Sequence, residues 1–217
     1  LIQKKYQIKQ GTMQRLLLPK DGWKKKNLGT ICSITKGKGI SKNHLVKDGK
    51  TKCILYGELF TKYNEVIYEV LSSTDIEEGN FSKKGDRLYP GSTTTTGIDL
   101  AKASTLLFDN ILLGGDIIIV RMKNYKYNSI FLTYFLNLIK KNEIAQTTKG
   151  ITIHHLYGKD LAGIDVQFPS IEEQNKIATI LTDMDTEIKK LEIKLEKLKK
   201  IKLGMLQNLL TGKIRLV

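Results

Sequence analysis

Residues 169–198, PSIEEQNKIATILTDMDTEIKKLEIKLEKL, decide the fold. Pro169 closes off what precedes it. Ser170-Ile171-Glu172-Glu173 has the form of a capping box, in which the Ser170 hydroxyl accepts the Glu173 backbone N–H and the Glu173 carboxylate reaches back. Beyond it, Ile177, Leu181, Met184, Ile188, Leu191, Leu195 and Leu198 follow at gaps of 4, 3, 4, 3, 4 and 3. This is a heptad seam, and its mean period of about 3.5 lets two helices supercoil about each other. Lys202 breaks the strict register, yet Ile201, Met205 and Leu209 carry the stripe onward, so the helix is expected to reach about Leu210. At a rise of ~1.5 Å per residue it would be roughly 60 Å long. A bundle helix is the plainer alternative. A helix of this length cannot bury its stripe on one small domain, however, so the seven seam residues are expected to pair with a second long helix.

Working outward from the seam, residues 19–169 read as a globular domain. Short strand-like runs at Cys53–Tyr56, Thr105–Phe108, Ile117–Met122 and Ile164–Phe168 alternate with Gly- and Thr-rich turns. Between the last two, Phe131, Tyr134, Phe135, Leu138 and Ile139 place an amphipathic helix over Ser129–Ala145. Strands mixed with few helices predict an α+β class: a globular domain of short strands and helices, followed by a long coiled-coil α-helix. The expected boundaries are a basic-apolar piece at 1–18, the globular domain at 19–169, the long helix at 170–212 and a tail at 213–217.

The two ends of the chain repeat each other. Ile8, Lys9, Gly11, Gln14, Leu16 and Leu17 recur as Ile201, Lys202, Gly204, Gln207, Leu209 and Leu210, every one displaced by 193 positions. Residues 1–18 therefore read as the tail of a preceding helix of the same kind, and the chain as one unit of a tandem of domain–helix units. Leu rather than Met at position 1 fits a processed chain or a fragment.

Charge narrows the partner. Thirty-six Lys and Arg against 22 Asp and Glu leave a formal +14, and the pI is near 9.6. Such an excess suits a polyanion, because each Lys or Arg placed on a phosphate releases condensed counterions. An anionic membrane is the competing partner, but no basic helix carries the Trp and Phe that an interfacial segment needs. No apolar run is long enough to span a bilayer, and residues 1–6 have no signal-peptide core. Cys32 and Cys53 stand 21 positions apart with no His at ligand spacing, and read as thiols of a cytoplasmic protein. No metal and no cofactor is expected.

Several segments together resemble the specificity subunits of type I restriction–modification systems. Trp23, Leu28, Gly29 and Ile31 look like that family's opening W-x-x-x-x-L-G-x-I, followed here by Thr35-Lys36-Gly37-Lys38-Gly39. Cys53-Ile54-Leu55-Tyr56-Gly57-Glu58-Leu59 is similar to its first strand and turn, and Gly85-Asp86 and Gly115-Asp116 to its paired G-D turns. Gly150-Ile151-Thr152-Ile153-His154-His155-Leu156 leads to Phe168-Pro169, and Pro169, Glu173, Gln174 and Ile177 fit the P-x-x-x-E-Q-x-x-I that opens the family's conserved helix. Leu206-Gln207-Asn208-Leu209-Leu210-Thr211-Gly212-Lys213 resembles its ending. The order and spacing of these segments together are more specific than any one of them.

The resemblance implies a non-catalytic reader of double-stranded DNA. Its partners would be modification (methyltransferase) subunits and, through the whole complex, a restriction subunit. Such subunits carry two recognition domains, each reading half of a split site; here there is one, which fits either a half-length subunit paired with a second copy through the long helix or a piece of a longer chain. The remaining chemistry agrees. None of the three prolines forms a methyltransferase Asn/Asp-Pro-Pro motif, and no phosphate-binding G-x-x-x-x-G-K-S/T loop exists. Glu192-Ile193-Lys194 reads as heptad flank. His154-His155 near Asp160 reads as a turn or DNA-facing pair rather than an acid–base centre.

Expected DNA contacts follow from residue type and place. Lys36, Lys38, Lys42, Lys83, Lys84, Arg87 and Lys149 sit in Gly-flanked, loop-like segments and suit phosphates, or else a solvated surface. Ser92, Thr93 and Thr94 begin a hydroxyl tract that suits base edges, or else a mobile loop. Thr152 and His154 belong to the same expected surface, and Arg87 is the candidate for bidentate guanine reading. The alternative is a coiled-coil oligomerisation protein whose basic domain binds nucleic acid without sequence preference.

Overall fold

The computed structural model describes residues 1–124 and 126–211; the expected 213–217 tail, together with Gly212 at the end of the expected helix, lies outside them. In chain order the elements are α1 (Ile2–Leu17), β1 (Lys24–Asn27), α2 (Leu28–Ile31), β2 (Cys32–Lys36), β3 (Thr51–Ile54), α3 (Glu58–Thr61), β4 (Val66–Ile67), β5 (Ser72–Thr74), β6 (Arg87–Pro90), β7 (Ser92–Thr93), α4 (Gly97–Leu100), β8 (Ser104–Leu106), β9 (Leu112–Leu113), β10 (Ile117–Met122), α5 (Ser129–Leu138), α6 (Lys141–Thr147), β11 (His154–His155), α7 (Gly158–Ala162), β12 (Asp165–Phe168) and α8 (Ile171–Leu210). A 3₁₀ turn, Lys42–His44, lies between β2 and β3. The chain divides into two compact units, Leu16–Ala178 and the pair formed by Leu1–Arg15 with the residues from Thr179 onward.

The first unit is built on a five-stranded sheet ordered β2-β10-β6-β8-β4, antiparallel except where β4 runs parallel to β8. β10 is an inner strand, between β2 and β6, and Ile117 to Val120 are all buried, so an unbroken apolar run fits it. On one face Ile117, Ile119, Leu88 and Leu106 join Ile54, Leu59, Tyr63 and Ile67 in the main core. A smaller sheet, β5-β3-β9, and the ribbon β1-β12 complete the strands that frame this unit. α5 is fixed by an aromatic cluster: Phe131 lies 5.8 Å from Trp23 and 6.0 Å from Phe168, centroid to centroid.

Three local expectations need correction. The single helix over Ser129–Ala145 is two, α5 and α6, because Asn137 exchanges two hydrogen bonds with the Ala103 backbone (2.7 and 2.9 Å) and the chain turns at Ile139-Lys140. Only half of the capping box forms: Ser170 Oγ accepts the Glu173 N–H at 3.2 Å, but the Glu173 carboxylate faces Lys20 at 3.8 Å. Buried Gln174 supplies the remaining closure, donating to Pro169 O and accepting from Asn128 N.

The third correction concerns the seam. In the second unit α1 lies antiparallel along the middle of α8: Lys5 pairs with Glu187 at 2.7 Å, Lys9 with Asp185, and Tyr6 Oη donates to Glu192 at 2.7 Å. Leu181 and Ile188 of this unit are buried within this one chain, and Met184 and Leu191 are half-buried; Ile177, buried too, belongs to the first unit. Only Leu195 and Leu198 stay open, at 42% and 53% exposure. Part of the partner expected from elsewhere is thus supplied by the chain's own first helix.

Candidate nucleic-acid interface

At one end of the central sheet the chain makes a polar surface from segments far apart in sequence. β6 ends at Pro90, and Gly91 N donates to Asp116 O at 2.6 Å; a side chain at 91 would strike Asp116, at 2.5 Å from its Oδ1. β7 continues from there and pairs antiparallel with β11, setting Thr93 opposite His154 and Ser92 opposite His155. The bridge Lys149–His155, bonded at 2.9 and 2.7 Å, closes residues 150–153 into a hairpin tip with Gly150 at φ +116°. His155 stacks on Tyr157 with centroids 6.1 Å apart, and Lys159 Nζ lies 5.9 Å over the Tyr157 ring.

Asp116 ties this ribbon to β2. Its backbone is left-handed (φ 65°), which places the carboxylate between the two: one oxygen accepts from Ser92 Oγ and the other lies 3.3 Å from Lys36 Nζ. Lys38 is held nearby because Gly37 presses on the Gly114 turn, where a Cβ would sit 2.0 Å from Gly114 O. The hydroxyl tract is anchored rather than a free loop. Thr95 and Thr96 donate to Asp99 at 2.6 and 2.7 Å, and those hydrogen bonds hold the Asp99 carboxyl below its ordinary range. Gly97 lets α4 approach the end of α6, since a Cβ there would meet Thr148 Oγ1 at 2.2 Å.

Of the expected contact residues, Lys36, Ser92, Thr93, Thr94, Lys149, Thr152 and His154 therefore come together, with Lys38 beside them; all are exposed or half-exposed. Lys42 lies apart in its 3₁₀ turn, next to β5. Lys83 and Lys84 precede β6 and so lie at the opposite end of the sheet, where Asp86 pairs with Arg121 at 2.6 Å.

Arg87 is corrected outright. Its side chain is fully buried, donating to Val120 O at 3.2 Å and Cys32 Sγ at 3.5 Å, and burial lowers its pKa. No base edge can reach it. β6 lies between β10 and β8, both of its faces are covered, and every residue from Arg87 to Pro90 is buried.

The sequence did not single out Asp116 as an organiser, Tyr157 or the anchoring Asp99, whereas His155 lies in the ribbon as half of the expected His154-His155 pair. The only signal for Asp116 was its place in a G-D turn. Among the described residues no three His, Cys, Asp or Glu side chains are grouped to hold a metal, and no helix is long and apolar enough to cross a membrane.

Comparisons with known proteins bear on the family and the overall fold. Residues 20–200 match the family model for the type I restriction modification DNA specificity domain. A curated relative, the type I restriction enzyme MjaVIII specificity subunit of Methanocaldococcus jannaschii, is 34% identical over 100 residues, which is 46% of this chain and 23% of that protein. The fold is similar to the HsdS subunit of Thermoanaerobacter tengcongensis (TM-score 0.58, 16% identity, 95% of this chain and 52% of that one). It is also similar to the S subunit of a type I restriction–modification system from M. genitalium (TM-score 0.64, 18% identity, 88% and 46%). The chain spans about half the length of those two structures and about a quarter of the curated relative. With the match running from just before Trp23 well into α8, the chain belongs to the type I restriction modification DNA specificity domain family.

Proposed function

We propose that this chain reads one half of a split duplex DNA site, and that the chemistry at the site is done by methyltransferase and restriction subunits that it directs. The carrying observation is the convergence of Ser92, Thr93 and His154 on one ribbon flanked by Lys36 and Lys149. Hydroxyl and imidazole groups exchange hydrogen bonds with base edges, while the lysines suit phosphates that fix the register. The ribbon is braced by Asp116 and by a sheet with a packed core, so its side chains meet DNA with little left to order. The net charge of +14 favours the same partner.

Selection of bound duplexes from a random pool by the full chain tests this. The wild type should enrich one short sequence. Thr93→Ala or His154→Ala should relax it at one or two positions, with a loss of discrimination of about 1–3 kcal/mol. Lys149→Ala should instead weaken all duplexes alike. A wild-type pool with no enriched sequence overturns the reading.

A further inference from the structure

The second half of α8 carries charge that the ribbon does not use. Between 189 and 202 there are seven Lys and two Glu. At 100° per residue, Lys189, Lys190, Lys194, Lys197 and Lys200 fall on one side of the helix, turned away from the seam. All five are exposed. Glu192 lies off that side and takes the Tyr6 hydroxyl, while Glu196 stands at its border beside Lys200 and holds Lys199 at 2.8 Å.

A face that only meets solvent normally mixes signs, because opposite charges at i,i+3 and i,i+4 support a helix and like charges weaken it. Here Lys190, Lys194 and Lys197 repel one another at gaps of 4 and 3, with no acid between them on that side. The same side carries exposed Ile193 and Ile201 but no aromatic residue and no Arg, the types in which protein-docking surfaces are enriched, whereas Lys, in which they are depleted, dominates it. Compact ammonium groups spaced along a rigid rod suit a row of phosphates. From Lys189 to Lys200 the face covers about 16 Å of helix, the length of roughly five base pairs.

We infer that the lysine face of α8, centred on Lys190, Lys194 and Lys197, is a second contact surface for the phosphate backbone of duplex DNA, independent of base sequence. The inference rests on the reading of the chain as a DNA-binding protein, and adds to it a contact outside the recognition ribbon.

The test compares the full chain with its Lys190→Gln/Lys194→Gln/Lys197→Gln variant on a 30-base-pair duplex of arbitrary sequence over a series of salt concentrations. Lost phosphate contacts should make the slope of log affinity against log salt shallower by about 2–3, with affinity at low salt down on the order of ten-fold or more. The sequence enriched from a random pool should not change. Gln and Lys have similar helix propensities, and circular dichroism checks that α8 is retained. The Lys190→Arg/Lys194→Arg/Lys197→Arg variant keeps the charge and should keep the slope. An unchanged slope in the Gln variant overturns the inference. So does an unchanged slope accompanied by lost binding to methyltransferase subunits or to phosphatidylglycerol vesicles, which would assign the face to those partners. A wild type that enriches no sequence counts against the half-site reading and leaves the slope comparison intact.

Discussion

Arg87 shows how far residue type misleads when register is unknown. Following the Gly85-Asp86 turn it reads as a surface cation, yet its strand is the middle one of the five, and its Nε and Nη1 find no acceptor among the described residues. Replacing a buried, poorly paired ion with an apolar side chain of similar volume is often neutral or stabilising by about 1–4 kcal/mol. Arg87→Met should therefore leave the urea midpoint unchanged or raise it, with the DNA preference intact; a relaxed preference would return Arg87 to the reading surface. Two other buried groups set an alkaline limit. Burial pushes the Cys53 thiol up to about 11 and the Tyr63 hydroxyl up to about 12, against ordinary values near 9 and 10. Both are neutral in the fold, so their share of stability is whole below about pH 9. It is then lost as pH rises toward the folded values, at up to ~1.4 kcal/mol per pH unit for each group. Urea midpoints measured from pH 8 to 11 should stay flat and then fall, and Cys53→Ala should delay the first part of the fall.

Elements whose signal is local were legible in the sequence, and those made by distant pairing were not. The heptad gaps of α8 and the unbroken Ile117–Val120 run each carry their period within a few residues. β7 and β11 are two residues each and acquire their meaning only by meeting across some sixty positions, so no period announces the ribbon. The antiparallel clasp of α1 on α8 was hidden for the same reason, although the repeat between the chain ends pointed to a helix at each. This partition makes the seam testable by position. Leu195→Glu with Leu198→Glu alters only exposed residues, and should leave the fold intact while abolishing self-association in sedimentation at tens of micromolar. Leu181→Glu places a charge where exposure is zero and should unfold the chain. A wild-type monomer at the same concentrations would rule out pairing of two copies through the open half of the seam.

At the scale of the molecule, a proposed pairing of two copies about a two-fold axis fixes the form of the DNA site. Two identical recognition units related by that axis read inverted copies of one sequence, separated by unread base pairs. α8 then acts as the spacer. Four residues inserted beside Lys199 add about 6 Å of helix, and ~3.4 Å per base pair converts that into a gap longer by one or two base pairs. Sites selected by the inserted chain should show the longer gap with unchanged half-sites. A changed half-site with a fixed gap would make α8 part of the reading surface instead.

The clasp between α1 and the middle of α8 has a consequence for how specificity is exchanged. Residues 1–15 and those from 179 onward form one compact unit, so the chain enters and leaves the recognition unit through two helices already bound to each other. The clasp closes the long loop between them, whatever that loop's sequence, and the entropy of closure grows only as the logarithm of loop length. A foreign recognition unit of different size, joined at the same two helices, would inherit the clasp, the spacer and the open half of the seam. On the proposed reading of the chain as a DNA reader, the recognition unit is then a replaceable cassette, and the pairing surfaces stay with the frame.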